Sequence, residues 1–229
     1  MELNTATDSA GAAEWIGAVG TALAVILALW LQWLRVWLRR PALVLEFDGK
    51  RDRADIRHAD GYASHWVRPR VRNRPGRDSA DDVEVMLARV RLLDEAPGSR
   101  SERPEELLEG LALKWSELTS TKVSMPPGTA RRIDFVHVDN TRVEKSPDGV
   151  EEHLERAPIR FDVCPLPAAK YHRAFGQAYE VTLALTARDT DAVYYMTHLS
   201  YDGVLRDEPR AMAEALNVES LRRLRKPPS

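Results

Sequence analysis

The chain has 229 residues, with 33 Lys or Arg and 35 Asp or Glu, which gives a formal net charge of -2 at pH 7. This near-zero charge argues against a dedicated nucleic-acid binder, because such proteins usually have a strongly basic balance. The single cysteine, Cys164, excludes an intramolecular disulfide framework and a multi-cysteine zinc site, and we interpret it as a buried structural thiol in a reducing compartment.

The first predicted element is a transmembrane helix over 15–38. Residues 15–34 read WIGAVGTALAVILALWLQWL and contain no charge. As a helix, such a run spans roughly 30 Å, the thickness of the hydrocarbon core of a bilayer. A cleaved signal peptide would need a basic leader and a small-residue cleavage site, but residues 1–14 contain no Lys or Arg. We therefore predict an uncleaved, single-pass anchor in the plasma (inner) membrane.

The charges that flank this helix predict its orientation. Basic residues follow it closely: Arg35, Arg39 and Arg40. Because basic flanks stay in the cytoplasm, we expect residues 1–14 to be extracytoplasmic and the C-terminal part to be cytoplasmic. Tryptophans near both ends fit interfacial anchoring: Trp15, Trp30, Trp33 and Trp37. Two pairs of small residues spaced four positions apart leave homo-oligomerisation through the helix open.

Beyond Pro41 the hydrophobic pattern changes from a helical period to alternation, which predicts strands. The predicted strands are 42–47, 65–73, 82–92, 111–116, 130–139, 159–164, 178–187 and 192–201. We expect loops at 94–106 and 140–157, and a short helix near 105–110. Strands do not alternate with helices, so the fold class is mainly β. The prediction is an antiparallel β-sandwich over 41–203, with a small barrel as the alternative.

Residues 65–73 show the clearest alternation. One face carries Val67, Pro69 and Val71, and the other carries Arg68, Arg70 and Arg72. This pattern predicts a half-buried strand with a solvated basic face, and Pro69 places it at a sheet edge or at a bulge. The segment 73–80 has the composition of a turn, so we expect 65–73 and 82–92 to pair as a hairpin. A second hairpin is predicted from 178–187 and 192–201.

The string VRPRVRNRPGRDSADDVEV at 67–85 resembles the pattern V-x-V-x-N-x-G-x-x-x-A-x-x-V-x-V of bacterial Ig-like, adhesion-type repeat domains. The matching residues are Val71, Asn73, Gly76, Ala80, Val83 and Val85. The resemblance implies an Ig-like sandwich in which Asn73 and Gly76 make a turn and the three valines enter the core. It implies no catalytic residues.

Residues 204–229 are predicted to form a helical, basic C-terminal tail. Its apolar stripe consists of Met212, Leu216, Leu221 and Leu224, and its basic end of Arg222, Arg223, Arg225 and Lys226. We expect this stripe to dock on the sandwich, with the membrane surface and a partner protein as alternatives.

No catalytic or nucleotide-binding motif stands out, and the histidines lack the spacing of a metal-ligand set. We therefore predict no catalytic, cofactor-binding or metal-binding residues. From 35 to 77 the chain has 12 Lys or Arg against 5 Asp or Glu, which we interpret first as a solvated strand face plus the charge that sets topology. Anionic lipid headgroups or an acidic protein are the alternative partners of this charge. Nucleic acid is disfavoured, because few aromatic residues are interleaved with these charges. The candidate binding face is Arg68, Arg70 and Arg72.

The sequence thus predicts a non-enzymatic membrane protein that presents a cytoplasmic sandwich as a binding or sensing module, with an unknown protein as partner. One alternative is a ligand-triggered effector that oligomerises through its helix, as some bacterial defence proteins do. Another is a membrane-tethered hydrolase that uses His137 or His198 beside carboxylates.

Overall fold

The computed structural model describes residues 6–57, 63–93, 108–118, 120–139, 143–145, 151–153, 157–164, 173–174, 178–206 and 208–226. The chain divides into two compact units, Met1–Arg40 and Pro41–Ser229.

The first unit contains one long helix, α1, at Ala6–Arg39. Its segment Gly17–Arg39 has 23 residues and a mean hydropathy of 1.8, so it is long and apolar enough to cross a membrane. No part of this segment is buried by other residues. The hydroxyl of Thr21 donates to the Gly17 carbonyl at 2.9 Å, which satisfies a polar group inside the apolar run. The predicted helix is confirmed.

The second unit is mainly β. Its first strands are β1 Leu43–Glu46, β2 Arg53–Arg57, β3 Ala63–Val67, β4 Arg70–Asn73, β5 Ala80–Leu92, β6 Ala112–Trp115, β7 Val123–Met125, β8 Ala130–Asp134 and β9 Val136–Asp139. Then follow β10 Val143–Lys145, β11 Glu151–His153, β12 Ile159–Phe161, β13 Val163–Cys164, β14 Arg173–Ala174, β15 Ala178–Thr186 and β16 Val193–Tyr201. The chain ends with helix α2 at Pro209–Ala215, β17 at Leu216–Val218 and β18 at Arg222–Arg223.

Within the described residues these strands form two main antiparallel sheets. The larger sheet has the order β1-β4-β8-β6-β5-β15-β16-β17, and β7, β13 and β18 pair with β5, β6 and β16. The smaller sheet has the order β14-β12-β9-β3-β2. Apolar side chains from both sheets belong to one hydrophobic core, in which Phe135 and Phe161 pack edge to face at 5.9 Å. The predicted fold class, mainly β with antiparallel sheets, is confirmed.

Three predicted strands pass from one sheet to the other and are each divided at a bend. The bend in 65–73 is at Arg68 and Pro69, and those in 130–139 and 159–164 are at Phe135 and Asp162. Pro69 has no N–H for a ladder, which explains the first break. Backbone hydrogen bonds tie the bends together, because Phe135 N–H donates to Val67 and Asp162 N–H donates to Phe135. Strands that switch sheets in this way make the corners of a sandwich.

The predicted hairpin between 65–73 and 82–92 is wrong. β4 pairs with β1 and β8, whereas β5 pairs with β6, β7 and β15. The predicted turn at Gly76 and the predicted core positions are correct, because Gly76 has a φ of 72° and Val71, Val83 and Val85 are fully buried. Asn73 is the last residue of β4 and not part of the turn. The turn therefore links two separate parts of the sheet. The second predicted hairpin, β15 with β16, is confirmed.

Two other predictions need correction. Within the predicted loop 140–157 the structure has a short hairpin of β10 and β11. In the predicted helical tail, the helix ends at Ala215, and β17 and β18 add to the edge of β16. The open edge of β16 supplies backbone partners there, and alternation of buried Leu216 and Val218 with exposed Asn217 suits a strand. The loop 94–106 and residues 105–107 of the predicted short helix lie outside the described residues.

Candidate functional site

The three arginines of the predicted binding face each lie beside a carboxylate. The pairs are Arg68 Nε to Asp134 at 2.7 Å, Arg70 Nε to Asp52 at 2.8 Å and Arg72 Nη2 to Glu46 at 3.3 Å. The side chains of Arg68 and Arg70 are only 20% and 25% exposed. The predicted alternation is therefore correct, but this surface is a set of ion pairs and not a freely solvated basic face.

Asp52 explains why Arg70 is held in place. Its side chain is fully buried between Arg70 at 2.8 Å and Arg132 at 4.0 Å. The Asp48 N–H also donates to its Oδ2 at 2.7 Å. A buried carboxylate needs such partners, because removal of one leaves an uncompensated charge. Sequence reasoning missed Asp52, since a single Asp in a polar loop carries no periodic signal.

Arg68 belongs to a stacked cluster that crosses the bend. Its Cζ lies 4.7 Å from the ring centre of Trp66, and the Trp66 ring stacks on His137 at 4.2 Å with an interplanar angle of 18°. His137 Nδ1 contacts Asp162 at 2.6 Å, and its Nε2 lies 3.7 Å from Asp139. These groups satisfy one another, which favours a structural role at the bend.

A separate groove of about 620 Å³ lies between the β2–β3 hairpin and α2. The turn before β2, both strands of that hairpin, α2 and the start of β17 line this groove. Its charged residues are Lys50, Arg53, Asp55, Arg210 and Glu214. Its apolar and aromatic residues include Trp66, Met212 and Leu216. Sites for small ligands are usually concave, with volumes of about 300–1,000 Å³ and a few polar groups in an apolar lining.

His65 is the most unusual residue of this groove. It is 6% exposed, and its Nδ1 is hydrogen-bonded to the Asp55 carboxylate. Because the Asp55 carboxylate accepts a hydrogen bond from Nδ1–H, Nε2 of the neutral ring is an acceptor. Within the described residues this buried Nε2 has no hydrogen-bond partner. Buried polar atoms are nearly always paired, so an unpaired one in a groove indicates a place for a ligand atom.

A smaller cavity of about 430 Å³ adjoins the predicted arginine face. Arg70, Arg131 and Arg132 contribute to its lining. Arg70 and Arg132 lie directly opposite each other on β4 and β8, and both lie near Asp52. Of the three arginines of the predicted face, Arg70 thus shares a cavity with two arginines of β8.

The histidines named for the hydrolase alternative lie outside both cavities. His198 is 42% exposed on β16, and its Nδ1 and Nε2 lie 2.9 Å from Glu219 and 3.7 Å from Glu180. Among the described residues, no group of three His, Cys, Asp or Glu side chains could hold a metal ion. Cys164 has a free thiol and is only half-buried, in contrast to the predicted buried thiol.

The predicted anchor tryptophans all lie on α1. Its tryptophans are highly exposed within their own unit: Trp15 74%, Trp30 54%, Trp33 61% and Trp37 52%. Arg35 and Arg39 lie near the C-terminal end of the helix, and Arg40 follows it.

No family model matches the chain, and neither a curated protein nor a solved structure matches it.

Proposed function

We propose that the chain is a single-pass membrane protein whose sheet domain is a cytoplasmic binding or sensing module, with the groove beside α2 as its ligand site. The observation that carries this proposal is the buried Nε2 of His65, which lines the groove without a hydrogen-bond partner in the described residues. The apolar helix Gly17–Arg39 supports the anchor. The arginines Arg35, Arg39 and Arg40 support the cytoplasmic orientation.

The groove is a better candidate than the predicted arginine face. Arg68 and Arg70 are already compensated by Asp134 and by buried Asp52. A ligand that bound these guanidinium groups would have to compete with ion pairs that the fold itself needs. We also propose three ways in which ligand binding is passed on from the sheet domain. These are contact with anionic lipid headgroups, contact with a protein partner and oligomerisation through α1. An Ig-like relationship also remains a proposal, supported by the core positions of Val71, Val83 and Val85.

The test is recovery of a bound molecule from the full chain. We expect the protein in nanodiscs, after incubation with the small-molecule fraction of a cell extract, to retain a molecule that mass spectrometry detects. An Ala213→Trp variant, which fills the groove from α2, should retain none. A Leu93→Trp variant is the control, because Leu93 is exposed and does not line the groove. Equal retention by both variants, or by neither protein, would reject the groove as the ligand site.

A second candidate function is hydrolysis by a membrane-tethered enzyme. The specific observation is that Asp55 orients the His65 imidazole while its Nε2 has no hydrogen-bond partner in the described residues, which is the arrangement of a general base. His65→Gln then separates the two functions, because the variant of an enzyme would keep the ligand and lose its turnover. Unchanged amounts of the recovered molecule over time in the wild-type protein would favour binding alone.

A further inference from the structure

Several arginines of the domain form ion pairs with carboxylates, whereas three cations of the groove do not. Arg51, Arg68, Arg70, Arg72, Arg188 and Arg206 all form ion pairs with carboxylates. In the described part of the chain, Lys50, Arg53 and Arg210 form none. Of the two carboxylates in the groove, Asp55 is hydrogen-bonded to His65. The groove therefore has an excess of positive charge.

The side chain of Arg53 is held beside the groove by a hydrogen bond to the backbone. Its Nε donates to the Gly49 carbonyl at 2.9 Å, which fixes the guanidinium beside the groove. Burial lowers the pKa of Arg53, and the charge of Asp55 offsets this effect only in part. Even so, arginine stays protonated at neutral pH. The electrostatic attraction between an anion and a partly desolvated cation is stronger than that between an anion and a fully hydrated cation, because the effective dielectric constant is lower.

The lining on the other side includes two apolar side chains of the core. Met212 and Leu216 are 2% and 1% exposed, and both line the groove from α2 and β17. Trp66 also belongs to the lining, but its ring already contacts His137 and Arg68. The open Nε2 of His65 lies in the same lining and, in the neutral ring, accepts a hydrogen bond from a ligand hydroxyl or N–H.

We infer that the ligand of this groove is a small organic phosphate that carries a hydroxyl group. The phosphate lies at Lys50, Arg53 and Arg210, and a hydroxyl donates to His65 Nε2. This inference rests on the proposed function and assigns the chemical class of its ligand.

The first experiment uses three soluble probes and isothermal titration calorimetry of the full chain in zwitterionic nanodiscs. AMP has the phosphate, the ring and the hydroxyls, adenosine lacks the phosphate, and ribose 5-phosphate lacks the ring. We expect AMP and ribose 5-phosphate to bind at least about tenfold more tightly than adenosine. No saturable binding of AMP up to about 10 mM, or equal affinities for AMP and adenosine, would overturn the inference.

Variants on the groove rim test the role of charge. Lys50→Glu combined with Arg210→Glu should weaken AMP binding by about tenfold or more and leave adenosine unaffected. Glu214→Gln should strengthen AMP binding, because it removes a negative charge from the lining. Lys122→Glu, an exposed cation away from the groove, is the matched control. Equal effects of the control and the double variant would count against the assignment.

The outcomes separate this inference from the proposed function. If a bound molecule is recovered from the wild-type protein and lost in Ala213→Trp, but AMP does not bind, the groove is a ligand site and only the assigned class is wrong. If neither result is obtained, both fail. Nanodiscs with anionic lipid provide a further arm: if they abolish AMP binding, headgroups occupy the groove and a soluble ligand is excluded.

Discussion

At the scale of single residues, Asn73 joins four segments of the sheet domain. Its side-chain amide donates to the carbonyls of Asp78 and Met125 at 2.8 and 3.0 Å, and its Oδ1 accepts from Ala42 N–H at 3.2 Å. The backbone of Asn73 also pairs with the turn at Gly128 and Thr129. All of these bonds form around a residue with no solvent exposure.

We expect Asn73→Ala to destabilise the domain by about 3 kcal/mol, because it leaves buried donors and acceptors without partners. Urea unfolding monitored by tryptophan fluorescence measures the loss. Asn217→Ala, at an exposed position of β17, should change the free energy of unfolding by less than about 0.5 kcal/mol. A similar small effect at Asn73 would mean that water replaces its contacts.

Asp134 gives a prediction on pH. Burial raises the pKa of its carboxyl, although the charge of Arg68 acts in the opposite direction. The folded protein therefore holds this proton to a higher pH than the unfolded chain does. The resulting stability is complete below the ordinary Asp pKa and is lost as the pH rises through the folded-state value.

The Asp134→Asn variant lacks this titration. Its free energy of unfolding, relative to wild type, should thus increase between about pH 3 and pH 7. Denaturation at both pH values tests the sign, and other groups cancel in the difference. A relative decrease with pH would show that the Arg68 ion pair outweighs the burial of the carboxylate.

Sequence reasoning was effective at residues with a local signal and ineffective where partners are distant. Gly76 was identified because turns favour this residue type. Neither His65 nor Asp52 could be recognised. Their importance depends on Asp55 across a strand pair and on Arg70 in another strand.

At the scale of elements, alternation located most strands because each has one buried face. β5 shows this clearly: Val83, Val85, Leu87 and Val90 are buried, and the change of phase between Leu87 and Val90 coincides with a register shift opposite Thr182 and Leu183. Strand partners were not predictable, because pairing depends on the whole sheet. The tail illustrates a further limit, since Met212 and Leu216 fit a helical stripe although Leu216 begins a strand.

Val85 tests the register of β5. It lies opposite Leu185 on β15, and both are buried. Val85→Asp would place an unpaired charge in the core, so we expect loss of the cooperative unfolding transition. Arg91→Asp, at an exposed position of the same strand, should leave the transition in place. Circular dichroism during thermal unfolding compares them, and unchanged stability of Val85→Asp would contradict this register.

At the scale of the whole molecule, composition alone located the helix, whereas the proposed ligand site depends on contacts between distant residues. We expect the full-length protein to resist extraction from membranes by alkaline carbonate, because a spanning helix is held by apolar burial. A chain that begins at Pro41 should be found in the supernatant. Release of the full-length protein at high pH would exclude a spanning helix.

Topology gives a separate prediction. A reporter that is active only in the cytoplasm should work when fused after Ser229, and a reporter that requires export should not. Replacement of Arg35, Arg39 and Arg40 by Glu should weaken this bias, because it removes the positive flank. The reverse pattern of reporter activities would place the sheet domain outside the cytoplasm.

The pairing of β5 with β15 has a consequence for synthesis. Residues 84–92 find their partners at 179–186, so roughly ninety residues must be added before this part of the ladder can close. At about 5–20 residues per second this interval is roughly 5 to 20 s. The apolar face of β5 is thus uncovered on the nascent chain while the ribosome continues. Chaperones that shield hydrophobic strands have this interval in which to act.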